Sequence, residues 1–251
     1  MNCPNLSDDL PTAVPVFIIG SSGKEVCHIK TFDFEYKVIS RPSKTRYRTH
    51  NNGIIEYYED RTVTLYVDYD GTVRVFWTEG LPYSDESLEQ YLTEYQTPLT
   101  KKSQLAKKLC REAKHNVPLT MGDVQALKRK AKQIIPARTE YYASIMNTSY
   151  SKITIRCQTS LWGSCNCETN TLSFNAVMML LPEEVLDLVI CHELAHTLVP
   201  DHSPEFWQTV EKFYSDYKKW NDWLDQYGWW YLLIYPEEIR QHRVSKARKK
   251  G

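Results

Sequence analysis

The stretch from Cys191 to Trp207 reads C-H-E-L-A-H-T-L-V-P-D-H-S-P-E-F-W and constrains the fold more than any other. His192 and His196 are four residues apart, so on an α-helix they stand one turn above the other on the same face. That spacing lets two imidazoles converge on one tetrahedral metal, with Glu193 beside them to handle a bound water. Pro200 must end the helix, which lets the chain turn back and bring His202 to the same point. The pattern is that of a zinc site in a hydrolase.

The residues around it support that reading. A helix starting at Pro182, with Glu183 and Glu184 in its first turn, is predicted to run to about Leu198. It carries Val185, Leu186, Leu188, Val189, Ile190, Leu194 and Ala195, so most of its circumference is apolar and the helix is buried. Burying two imidazoles and a carboxylate there is costly unless they have partners, and a metal supplies them. Ser203 is placed to cap the next helix, with Pro204 at its first position, which fixes the turn after His202. Phe206, Trp207, Val210 and Phe213 then form a core-facing stripe.

Upstream, the chain changes period. Residues 1–53 are weakly patterned, an N-terminal extension holding strands, with Asn52-Gly53 as a hairpin turn into Ile54 to Tyr58. Val63, Leu65 and Val67 alternate with polar positions, Asp70-Gly71 makes a turn, and Val73, Val75 and Trp77 alternate on the return. Ser84 reads as the N-cap of a helix striped by Leu88, Tyr91, Leu92 and Tyr95, which Pro98 closes. A basic helix follows over residues 101–115. Thr120 and Asp123 then start a helix reaching about Ile145, with a kink expected at Pro136. Ile153 to Cys157 and Thr171 to Asn175 read as strands.

The sequence therefore predicts an α+β protein. A small antiparallel N-terminal sheet precedes a domain in which the metal-bearing helix packs on a short sheet. The expected divisions are an extension over 1–53, a small β-rich domain with one helix over 54–100, a metal-dependent hydrolase domain over 101–231, and a basic tail over 232–251.

Charge and cysteine content bound the surroundings. The formal net charge is zero, but residues 54–100 hold ten acidic and two basic side chains, and residues 101–138 eleven basic and two acidic. Such segregation permits a nucleic-acid contact through the basic segments, although a solvated helix face explains it as well. No stretch approaches the roughly 20 apolar residues that span a bilayer. Seven cysteines, an odd number, in a chain without an export signal predict reduced thiols and a cytoplasmic protein.

Several ordered motifs carry a resemblance. The runs I-T-I-R-C-Q-T-S-L-W-G-S-C, L-S-F-N, L-P-E-E-V-L-D-L-V-I-C-H-E-L-A-H and D-H-S-P-E-F-W resemble the YgjP-like metallopeptidase family and, more distantly, the SprT group. Leu161 stands where that family usually has a basic residue. The resemblance implies a zincin-like fold, a protein or peptide substrate, and His192, Glu193, His196 and His202 as the metal and catalytic residues. Three neutral histidines leave a fourth zinc position open to a water whose pKa falls towards about 7. Glu193 would take its proton and pass it to the leaving amine. A structural zinc is the plainer alternative, but such a site is normally closed by a fourth protein ligand. Cys191 points about 100° away around the helix, and a thiolate site from Cys157, Cys165 and Cys167 lacks a second matched pair. No oxyanion donor is identifiable among Arg156, Ser164 and the tyrosines. Strand Thr171 to Asn175, by analogy with zincins, offers an edge for a substrate backbone. A metal-stabilised nucleic-acid-associated binding protein, or a protease recruited to DNA, is the competing reading. Neither the oligomeric state nor the substrate is encoded legibly.

Overall fold

The computed structural model describes residues 16–18, 32–41, 43–49, 55–60 and 63–240. The Asn52-Gly53 turn and the basic tail beyond Arg240 lie outside them. The chain divides between Ala113 and Lys114 into two compact units. It is an α+β protein, as its periodicities predict.

The unit before Lys114 is built on strands. β1 (Val16–Ile18), β5 (Val63–Val67), β6 (Val73–Thr78) and β2 (Tyr36–Arg41) form one sheet in the order β1-β5-β6-β2, and β3 (Lys44–Thr49) pairs with β4 (Ile55–Asp60) separately. Val63, Leu65, Val67, Val73, Val75 and Trp77 are buried, so the period of two puts one face in the core. The sheet is mixed rather than wholly antiparallel, because β2 runs parallel to β6. Strands β3 to β5 intervene between these two, long enough for the chain to return in the same direction.

The β5–β6 turn needs its glycine twice over. Gly71 has φ +87°, and a Cβ there would lie 2.8 Å from the Ser103 carbonyl oxygen. Thr72 N–H donates to the Asp70 carboxylate at 2.8 Å, closing the turn. Helix α1 (Asp85–Glu94) starts at Ser84, whose hydroxyl accepts from Ser87 N–H at 3.1 Å. Pro98 does not close a helix. It lies in the first turn of α2 (Gln96–Glu112), where its missing N–H leaves no bond unmade.

The unit from Lys114 is helical around a small sheet. α3 (Met121–Met146) begins with a capping box in which Thr120 and Asp123 satisfy each other's backbone N–H. It continues through Pro136 and ends at Asn147 in the left-handed conformation, φ 51°. β7 (Lys152–Arg156), β9 (Thr171–Asn175) and β8 (Gly163–Asn166) form a sheet in the order β7-β9-β8, parallel then antiparallel. A 3₁₀ turn leads to α4 (Glu183–Ala195), then α5 (Pro204–Phe213), α6 (Tyr217–Trp223), a π-helical turn over Leu224–Gly228 and α7 (Trp229–Leu233).

Ten of the eleven residues of α4 from Val185 onward are buried, Asp187 being the partial exception. α3 is fastened along it by Arg138, which donates to Glu183 and Asp187 at 2.6 Å each. No helix among the described residues is long and apolar enough to cross a membrane. Cys157, Cys165 and Cys191 are free thiols; Cys167 is disulfide-bonded, a departure from the uniformly reduced cysteines expected.

Candidate active site

α4 reaches the site with its last turn. His192 and Glu193 are each 1% exposed within the helix, and His196, also 1% exposed, is its C-terminal cap. The helix stops there, earlier than the expected Leu198, and Thr197 and Leu198 continue in tight turns. Asp201 accepts from Ser203 N–H at 3.1 Å, folding the chain back into α5. Ser203 occupies the N-cap position ahead of Pro204, but its hydroxyl makes no capping bond; the Asp201 carboxylate fixes the corner instead.

This corner brings His202 to the helix. The His192 and His202 Nε2 atoms are 3.0 Å apart, and those of His192 and His196 are 3.2 Å apart. The three imidazoles are the only group of three or more metal-ligating side chains among the described residues, with ligand atoms all within 4.8 Å. Two nitrogens bound about 2.0–2.1 Å from one tetrahedral ion stand roughly 3.3–3.4 Å apart, so the set fits such an ion closely. His196 Nδ1 lies 3.3 Å from the Val199 carbonyl oxygen. Donation there leaves a neutral His196 with a bare lone pair at Nε2, aimed at the common point. Burial, reinforced by the neighbouring imidazoles, holds His192 well below the usual histidine range, and burial brings His196 to about 4. All of this favours the neutral, ligating form.

One aromatic ring touches all three imidazoles. Phe206, fully buried on α5, stacks on His196 at 4.4 Å and meets His192 and His202 edge-on at 4.7 and 4.8 Å. Trp207 stacks on His202 at 5.7 Å, and Tyr217 backs Trp207 at 5.6 Å. Read from the sequence, Phe206 is one member of an apolar stripe; its contact with the imidazoles depends on the corner at Asp201.

Glu193 has a different environment. Its Oε1 is buried without a hydrogen-bond partner, and burial raises its carboxyl to about 8. The side chain lies against Gly163 of β8. An orphaned carboxylate oxygen beside three convergent imidazoles is the arrangement a metal-activated water would complete.

Asn175 holds the loop leading to β8. Its amide donates to the Gln158 and Leu161 carbonyls at 2.7 Å each, and Tyr235 hydroxyl donates to its Oδ1 at 2.6 Å. Its backbone N–H bonds the Trp162 carbonyl at 2.8 Å. Asn175 and Gly163 fall in the L-S-F-N and W-G-S-C runs, whose local pattern names neither residue's distant partner.

The strand expected to be an edge, β9, is the middle of its sheet; β8 and β7 are the edges. The bond from Asn175 N–H to Trp162 carbonyl sets the alternation along β8. By that alternation the peptide groups of Gly163 and Cys165 face away from β9, towards the outer edge. The thiols stay apart from the imidazoles. Cys191 Sγ lies 3.9 Å from Met146 Sδ, and Cys165 is pushed up to about 12 by burial and by the charge of Glu193. Lys128, Arg129, Lys130 and Lys132 lie exposed on α3, a solvated face.

The description "YgjP-like, metallopeptidase domain" matches residues 37–227 of this chain. No curated protein matches it. Among solved structures, the crystal structure of the metallopeptidase zymogen of Pyrococcus abyssi abylysin is similar at 23% identity. The likeness covers 36% of this chain and 91% of that one, with a TM-score of 0.34.

Proposed function

The chain belongs to the YgjP-like metallopeptidase family, and from that premise we propose that it is a zinc peptidase with Glu193 as its general base. The family makes it a metal-dependent hydrolase acting on a protein or peptide. His192, His196 and His202 would hold the ion. The observation that carries this reading is the convergence of three imidazole nitrogens beside a buried carboxylate oxygen that lacks a partner. An all-imidazole set suits zinc among the available divalent ions.

Zinc bound there supplies Lewis-acid polarisation of a carbonyl and makes water a nucleophile near neutral pH. The remaining work falls to the chain's own side chains. Glu193 Oε1 accepts the proton of the attacking water and afterwards donates it to the departing amine. Burial raises the Glu193 carboxyl above the usual carboxylate range, which strengthens it as a proton acceptor. The His196 bond to Val199 keeps the ring in one orientation while charge moves beside it. The outward peptide groups of Gly163 and Cys165 offer an extended substrate backbone a strand to pair with, next to Glu193.

The test is Glu193→Gln, assayed on an unfolded protein with bound metal measured in parallel. Hydrolysis should fall by about 10²–10⁴-fold while metal content stays at the wild-type value. Unchanged hydrolysis would remove Glu193 from the chemistry.

A further inference from the structure

Gly163 lies in a β-strand and is not in the left-handed region, so its backbone would accept any residue. Space is what forbids a side chain. A Cβ built there would stand 2.6 Å from Glu193 Cγ, 2.6 Å from Oε1 and 2.8 Å from Cδ. We infer that Gly163 is the positioning residue for Glu193: the volume of its missing side chain is the seat of the carboxylate. This rests on the reading of Glu193 as the base.

Neither partner is free to yield. On the strand side, Asn175 grips the carbonyls of Leu161 and Trp162, the two residues before Gly163. Trp162, 1% exposed, is wedged against the π-helical turn, where a Cβ at Gly228 would come within 3.0 Å of its ring. On the helix side, Glu193 extends from the buried face of α4 with 1% of its surface exposed. A methyl group at position 163 therefore displaces the carboxylate by most of an ångström. A shift of that size in a reacting group costs about 100-fold in rate. The imidazoles, each in contact with Phe206, are left where they are.

The test combines Gly163→Ala, Glu193→Ala and the double variant in the full chain. Gly163→Ala should keep wild-type metal content, lose about 100-fold in kcat on a peptide substrate, and change KM by less than about threefold. It should lower Tm by about 5 °C with Glu193 present and by almost nothing in the Glu193→Ala background, where the methyl group has room. An equal loss of Tm in both backgrounds, or a wild-type kcat, would overturn the assignment. If Gly163→Ala alone does not fold, recovery of folding in the double variant supports the seat, and failure to recover overturns it. The Tm coupling does not depend on catalysis, so Glu193→Gln with unchanged hydrolysis would sink the base and leave the seat standing.

Discussion

His192 and Glu193 are neighbours on one turn of α4, yet the molecule treats them in opposite ways. The imidazole side is made by contact: Phe206 touches three rings, Trp207 meets two, and Tyr217 backs Trp207. The carboxylate side is made by omission, with a glycine where a side chain would intrude and an oxygen left without a partner. On the proposed reading, the imidazoles are ligands that must be held still around an ion, whereas Glu193 is a proton carrier that needs one oxygen available for its task. The difference separates two classes of perturbation. Damage on the imidazole side should appear as lost metal, and damage on the carboxylate side as lost turnover with metal retained.

The largest expected effect is metal removal. Chelation should abolish hydrolysis and lower wild-type stability, by roughly 4 kcal/mol where the ion was present at a thousand times its Kd. In His202→Ala the same chelator should change Tm far less, which a thermal melt of both proteins would show. Phe206→Ala comes next, with a loss of about 3–5 kcal/mol for a fully buried ring together with weaker metal binding. Competition against a chromogenic chelator measures the second quantity. If Phe206→Ala kept its metal affinity and lost only kcat, the contrast between the two sides would fail.

Asn175→Ala should cost about 1–3 kcal/mol, because the Gln158 and Leu161 carbonyls and the Tyr235 hydroxyl all lose a buried partner. Since that loop carries Gly163, the variant should behave as carboxylate-side damage, with metal content preserved and kcat reduced. The smallest effects are expected at Arg138. Glu183 is 80% exposed, so Glu183→Gln should change stability by no more than about 0.5 kcal/mol in a urea titration. Asp187, 19% exposed, shares the same guanidinium in a drier setting, and Asp187→Asn should cost more.

How legible the site was in the sequence follows the same division. The two helical histidines were readable because they share one element, and Pro200 announced the corner that returns His202. The Asp70-Gly71 turn and the Thr120–Asp123 capping box were readable for the same reason, each being a bargain among neighbours in the chain. Gly163 and Asn175 were not, because their partners lie about 30 and 60 residues away and no local pattern names them. Pro98 is ambiguous in the sequence because proline stops one helix and starts another with equal ease. The sequence does not mark β9 as a middle strand, because β8, with the sequence G-S-C-N, has little strand propensity of its own and exists by pairing.

The bond from Tyr235 to Asn175 spans 60 positions of the chain. Synthesis runs from the N-terminus, so the histidine helix is complete well before Tyr235 has been made. Until it emerges from the ribosome, the loop ahead of Gly163 lacks its last fastening. In an order of assembly that follows translation, the imidazole cluster would gather first and the loop beside the carboxylate would be fastened only once Tyr235 has been made.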